Sequence, residues 1–279
     1  MTSWILGVRR TPIWFIVLSL VVFFILSTLT NLVVSPGDLF RPFCRSTGFL
    51  IVPTFLNYIP FFIVFAVLFW GVGRLRARDL GLVWKRLPMG VLWLAGTWIA
   101  SQLFLFLLNW GDVEIWTAWE TRPTLLVGEL VSGQILGNTL MEEVFWRAFM
   151  ISQLAILFHV SGKYGIRSAI VWATILSTVL FAISHLMHDV ANDASLSQIY
   201  IGQLGRLAGG FVFAAIFLLS NNLFIAIGIH ALANLPTPLF DPGSNVSGQA
   251  FCALAPLVLL IILAIFRHVG ARRAGQEIS

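Results

Sequence analysis

"LLVGELVSGQILGNTLMEEVFWRAFMISQLAILFH" (residues 125–159) is an apolar run interrupted by two adjacent glutamates, Glu142 and Glu143, and by Arg147. Its length decides how the chain is threaded. About 35 residues at 1.5 Å each make roughly 52 Å of helix, against a bilayer core of about 30 Å, so the run is one long crossing or two short ones. Lipid is the setting that the composition implies, because 58% of the 279 residues are apolar and only 10% are charged. That is the profile of an integral membrane protein.

Other apolar runs fall near 13–34, 49–72, 88–109, 167–188, 199–220, 221–236 and 250–267. The expected fold class is therefore an all-α polytopic membrane protein, with about eight transmembrane helices. The first run is longer than the roughly 7–15 apolar residues of a signal peptide and lacks a small-residue cleavage pattern, so it reads as a retained anchor. No repeat or linker divides the chain, and one integral membrane domain over 1–279 is the simplest organisation.

Charge chooses between one crossing and two. With a single crossing through 125–159 and the N-terminus inside, Arg9, Arg10, Arg74, Arg76, Arg78, Lys85, Arg86, Lys163, Arg167, Arg267, Arg272 and Arg273 all fall inside. Only Arg41, Arg45 and Arg122 fall outside. Two crossings would send Lys163, Arg167 and the C-terminal arginines outward, against the positive-inside tendency. We therefore expect one crossing, tilted or broken near Gly133 or Gly137, with both termini cytoplasmic in a prokaryotic type of cytoplasmic membrane. The net charge of +5 is then topology information, and no basic array points to nucleic acid. Cys44 and Cys252 both lie toward the outer side without a CxxC pattern; a disulfide is open to them, although unpaired buried cysteines are common.

An ionised side chain at the centre of a membrane helix costs on the order of 3 kcal/mol, so Glu142, Glu143 and Arg147 must be partnered or face a wet cavity. Glu143 and Arg147 stand at i and i+4 with the acid first, the favoured order for a helical ion pair. Glu142 lies about 100° round the helix from Glu143, which leaves its carboxylate free. On a purely structural reading the ion pair ties helices together and Glu142 bonds a neighbouring hydroxyl. A chemical reading gains weight from two later segments. "FAISH" places His185 four residues after Phe181, and "HALAN" places His230 four residues before Asn234, each pair on one helical face.

Together "EEVFWR" (Glu142 to Arg147), "FAISH" (Phe181 to His185) and "HALAN" (His230 to Asn234), in this order on separate hydrophobic segments, resemble the type II CaaX prenyl endopeptidases and their bacterial relatives, the CPBP or Abi family of intramembrane proteases. The resemblance covers about 125–240, the motif-bearing core. It implies hydrolysis of a peptide bond near the C-terminus of a prenylated or membrane-associated substrate, inside a helical bundle with a conical cavity. Glu142 takes a proton from water that His185 holds in line, since a desolvated carboxylate makes a better base. The side chains of His230 and Asn234 supply the oxyanion donors. Glu143 and Arg147 orient the acidic motif, and Phe181 packs.

The resemblance implies no obligatory cofactor. Zinc is the alternative, since Glu142, His185 and His230, with His188 nearby, are possible ligand types, although the HExxH signature is missing. In "GQLGRLAGG", Gly205 and Gly209 are expected to allow close helix approach, while Arg206 pairs with Glu129 or reaches the interface, a substrate carboxylate being its less favoured partner. The segment at 110–123 alternates tryptophans with acids and reads as interfacial, with lateral substrate gating as a further option. Two other functional classes stand beside the protease: a transporter using the buried charges as an ion path, and a membrane immunity or scaffold protein. Oligomeric state is not specified by the sequence.

Overall fold

Pro12, Pro53 and Pro123 each stand at the start of a long apolar helix, where a missing N–H costs nothing. The structure, a computed structural model, describes residues 2–34, 39–108 and 114–241. Among these, six helices are long and apolar enough to cross a membrane. They are α1 (Ile13–Val34), α2 (Pro53–Val72), α3 (Trp84–Leu107), α4 (Pro123–Val160), the fifth span Ile166–Ala191 and the sixth Leu196–Ser220. The fifth divides at His185 into α5 (Ile166–Ser184) and α6 (Leu186–Ala191). The sixth, α7 (Leu196–Ser220), opens on a reciprocal Ser195–Gln198 cap. The chain is an integral, multi-pass, all-α membrane protein.

The run 125–159 lies within α4, a continuous helix of 38 residues. It is not broken at Gly133 or Gly137. Its hydrogen bonding widens to π-helical turns over Glu129–Asn138 and again over Glu143–Met150. The glycines allow contact rather than a break. A Cβ at Gly128 would collide with the Phe49 carbonyl oxygen, and one at Gly137 would lie 3.3 Å from the Phe55 Cα. The start of α2 therefore packs directly against the backbone of α4. Every residue from 141 to 156 is buried, which makes α4 the axis of the bundle.

The expected seventh crossing, 221–236, falls on a helix shorter than the other six. It is α8 (Leu223–Asn234), only 12 residues long, or about 18 Å, which is too short to span the bilayer core. Residues 223–232 are all buried, so its apolar character serves protein packing rather than lipid. Asn222 caps it by accepting a hydrogen bond from the Phe224 N–H at 3.0 Å. Gly90 and Gly228 bring α3 and α8 together: a Cβ at Gly90 would collide with the Phe224 Cβ. The expected eighth helix, 250–267, lies outside the described residues, as do Cys252, His268, Arg267, Arg272 and Arg273. Cys44 is buried in the short helix Arg41–Ser46.

The basic segments meet at one rim. The Arg9 guanidinium donates to the Arg74 carbonyl at 2.6 Å, and Asp79 accepts from the backbone N–H groups of Arg76 and Arg9. Arg86 donates to the Asn221 carbonyl, and Gln153 on α4 donates to the Arg9 carbonyl at 3.0 Å. The Val160 end of α4 thus lies with Arg9, Arg74 and Arg86. Residues 110–113 of the tryptophan-rich segment are outside the described residues. The remainder forms a short helix, Thr117–Thr121, and the Trp119 indole donates to the Pro238 carbonyl at 2.7 Å.

Candidate active site

Glu142 and Glu143 project from α4 into different surroundings. Glu142 is the acid that lines a cavity of about 890 Å³, together with His185, His188, His230, Asn234 and Arg206, and with Phe23, Phe61, Phe181 and Phe213 as apolar wall. Its Oε1 lies 3.4 Å from His185 Nε2, and its Oε2 lies 3.7 Å from His230 Nε2. The carboxylate therefore stands between two imidazoles without a short direct bond to either.

Glu143 is fully buried. Its Oε1 lies 2.8 Å from His230 Nδ1 and 3.4 Å from Arg147 Nε. The i,i+4 pair expected from the sequence is present, but the shorter contact is to a histidine on α8. Arg147 lies over the Phe181 ring, with 4.4 Å from guanidinium carbon to ring centre. Among the described residues, Arg147 Nη2 and Glu143 Oε2 have no hydrogen-bond partner. The ring face of Phe181 thus holds much of the cation, a role open to a planar guanidinium. Phe181 also packs edge-on against His185, with ring centres 4.7 Å apart. The motif phenylalanine is a spacer between the arginine and the histidine.

His185 sits at the break between α5 and α6, and its Nδ1 lies 2.9 Å from the Phe181 carbonyl oxygen. A carbonyl only accepts, so Nδ1 carries the proton and Nε2, facing Glu142, is the acceptor in the neutral ring. His230 has its Nδ1 occupied by Glu143. Its ring plane is set by Phe213, stacked at 4.1 Å between centres with 19° between planes. For His230 Nε2 to carry a proton as well, the Glu143–His230 pair must hold two protons between them. Asn234 is the last residue of α8, and its Nδ2 donates to Gln134 Oε1 at 3.1 Å.

All seven residues expected from the sequence occupy this one region, with Glu142, Phe181, His185, His230 and Asn234 lining the cavity. Sequence reasoning missed Tyr58, Gln134, Asn138 and Phe213, which also line it. The signal for two of them was present, since Gln134 and Asn138 are amides at i and i+4 in the same apolar run as Glu142.

Residues 123–236 match the family model described as type II CAAX prenyl endopeptidase, Rce1-like. This segment, less than half of the chain, is similar to the Rce1-like family. No curated protein and no solved structure matches the chain. The Rce1-like segment includes α4 to α8 and carries all three motifs, and its family is one of proteases.

Two side assignments change. Arg206 does not pair with Glu129. Its guanidinium forms a two-pronged ion pair with Asp189 on α6, both contacts at 2.5 Å, and Gln203 donates to the same carboxylate. Glu129 instead accepts from the Thr54 hydroxyl at 3.4 Å. The reason is proximity: α6 lies beside α7, whereas Glu129 packs against the start of α2. Gly205 and Gly209 do not make the close helix contact. That falls to Gly210, where a Cβ would lie 2.8 Å from Thr178 Cγ2, while Gly205 and Gly209 line the cavity. Of the residue types considered for zinc, His188 has its Nδ1 3.1 Å from Asn31 Oδ1. Among the described residues, no three His, Cys, Asp or Glu side chains group as metal ligands.

Proposed function

We propose that the Rce1-like segment acts as an intramembrane endopeptidase of the CaaX prenyl protease type, with Glu142 as its base and no resident metal. The observation that carries this is the Glu142 carboxylate, buried at the cavity wall between His185 and His230. A water donating one hydrogen to Glu142 and the other to His185 Nε2 turns its lone pair toward a bound peptide carbonyl. As the water oxygen bonds to the carbonyl carbon, its proton passes to Glu142. The resulting oxyanion accepts from His230 Nε2–H and Asn234 Nδ2–H. Glu142 then gives the proton to the departing nitrogen, the C–N bond breaks, and an acid and an amine leave.

The apolar wall of Phe23, Phe61, Phe181 and Phe213 suits a prenylated or otherwise membrane-associated peptide. We also place the Arg9–Arg74–Arg86 rim on the cytoplasmic side, following the positive-inside tendency.

The test compares purified wild type and Glu142→Gln on a quenched fluorescent, C-terminally prenylated peptide, with and without a strong chelator. We expect wild-type cleavage unchanged by chelator, and a loss of about 10³-fold in the variant. Chelator-sensitive cleavage transfers the chemistry to zinc. Equal cleavage by both proteins removes Glu142 as the base, and silence from both favours transport or a scaffold role.

A further inference from the structure

Asn234 is poorly placed to act alone. It ends α8, its side chain is exposed to the cavity, and the next residue, Leu235, leaves helical backbone angles with φ −141°. A donor stabilises an oxyanion strongly only when it is already aimed, and an exposed amide at the end of a helix is not aimed by itself. The structure supplies an anchor. Gln134 Oε1 accepts from Asn234 Nδ2 at 3.1 Å and from Asn138 Nδ2 at 3.3 Å. The Tyr58 hydroxyl donates to Asn138 Oδ1 at 2.5 Å. Three helices therefore contribute to one chain of hydrogen bonds that ends on the amide of the third motif.

We propose that Gln134 is a positioning residue for Asn234. Its Oε1 takes one Nδ2 hydrogen and so directs the other into the cavity. Tyr58 and Asn138 hold Gln134 in the accepting sense: the Tyr58 hydroxyl donates to Asn138 Oδ1, so Asn138 presents its Nδ2 to Gln134, and a flipped Gln134 would set one NH2 group against another. The π-helical turn contributes too: the Thr139 hydroxyl and backbone N–H both bond the Gln134 carbonyl, which fixes the backbone from which this side chain extends. The inference rests on the assignment of Asn234 as an oxyanion donor.

A double-mutant cycle separates positioning from a general structural role. Wild type, Gln134→Leu, Asn234→Ala and the double variant are compared by steady-state cleavage of the prenylated peptide, using proteins that keep the wild-type unfolding temperature in detergent. Gln134→Met, close in shape but without the acceptor, replaces the leucine variant if that one fails to fold. Asn234→Ala is expected to lower kcat about 10²-fold, as loss of one oxyanion donor does. Gln134→Leu is expected to lower kcat about 10-fold with KM within about twofold, and to have no further effect in the Asn234→Ala background. An equal 10-fold loss in both backgrounds overturns the proposal. Full activity of Asn234→Ala overturns the oxyanion assignment, and the proposal falls with it. If the wild type cleaves nothing, the side-chain amide resonance of Asn234 decides: slow exchange of its Nδ2 protons with water that becomes fast in Gln134→Leu upholds the anchor, and an unchanged exchange rate overturns it.

Discussion

Arg147 has the Glu143 carboxylate and the ring faces of Phe181 and Phe213 beside its charge, and both it and Glu143 are withdrawn from solvent. Removing one partner of such a pair strands the other, at a cost of about 3–5 kcal/mol. Arg147→Ala should therefore lower unfolding stability in detergent by about that much, read from denaturant titration; a loss below about 1 kcal/mol would show that Phe181 packing alone sustains the site. This pair was legible from spacing alone, because i,i+4 partners belong to one helix. The 2.8 Å contact between Glu143 and His230 was not, since it joins distant segments and only tertiary packing creates it. Phe213 was hidden for the same reason, being one of many phenylalanines until the fold laid it on an imidazole.

At the scale of elements, close approach is written in particular glycines. A Cβ at Gly90 would meet both the Cβ and the backbone of Phe224, the latter at 3.0 Å. Backbone cannot yield as a side-chain tip can, so Gly90→Ala should destabilise by more than about 1 kcal/mol despite the gain in helix propensity. Gly96, on the same helix with nothing within 4 Å, is the control. Gly96→Ala should be neutral or stabilising by up to about 1 kcal/mol, and thermal unfolding of the two variants checks both. Hydrophobicity located the six long helices, but it could not tell that α8 is short and buried, because an apolar run buried by protein reads like one facing lipid. Length distinguishes them only once the boundaries are known, and here Asn222 and Leu235 set them. The single passage of α4 was readable from the distribution of arginines and lysines, whereas its π-helical turns had no signal in the pattern.

For the whole molecule, the basic rim and the cavity define two directions. With the rim on the cytoplasmic side, a cysteine at Ser161, beside the Val160 end of α4, should be shielded in intact cells from a membrane-impermeant maleimide. One at Ser197, a crossing later, should be labelled. Both assays use a chain whose native Cys44 and Cys252 are replaced by serine, and the reverse pattern would invert the topology. The widened turns of α4 also act as a phase setting between two parts of the site. Gln134 and Asn138 lie within the first π-helical stretch, and Glu142 follows it. Each residue carries about 100° of helical rotation. Deleting one residue between Gln134 and Asn138 would keep the composition, hydrophobicity and motifs of the helix almost intact, yet turn the Gln134 amide away from Asn138 and from the Glu142 that shares its cavity. In this stretch, chain length is itself part of how the cavity is lined.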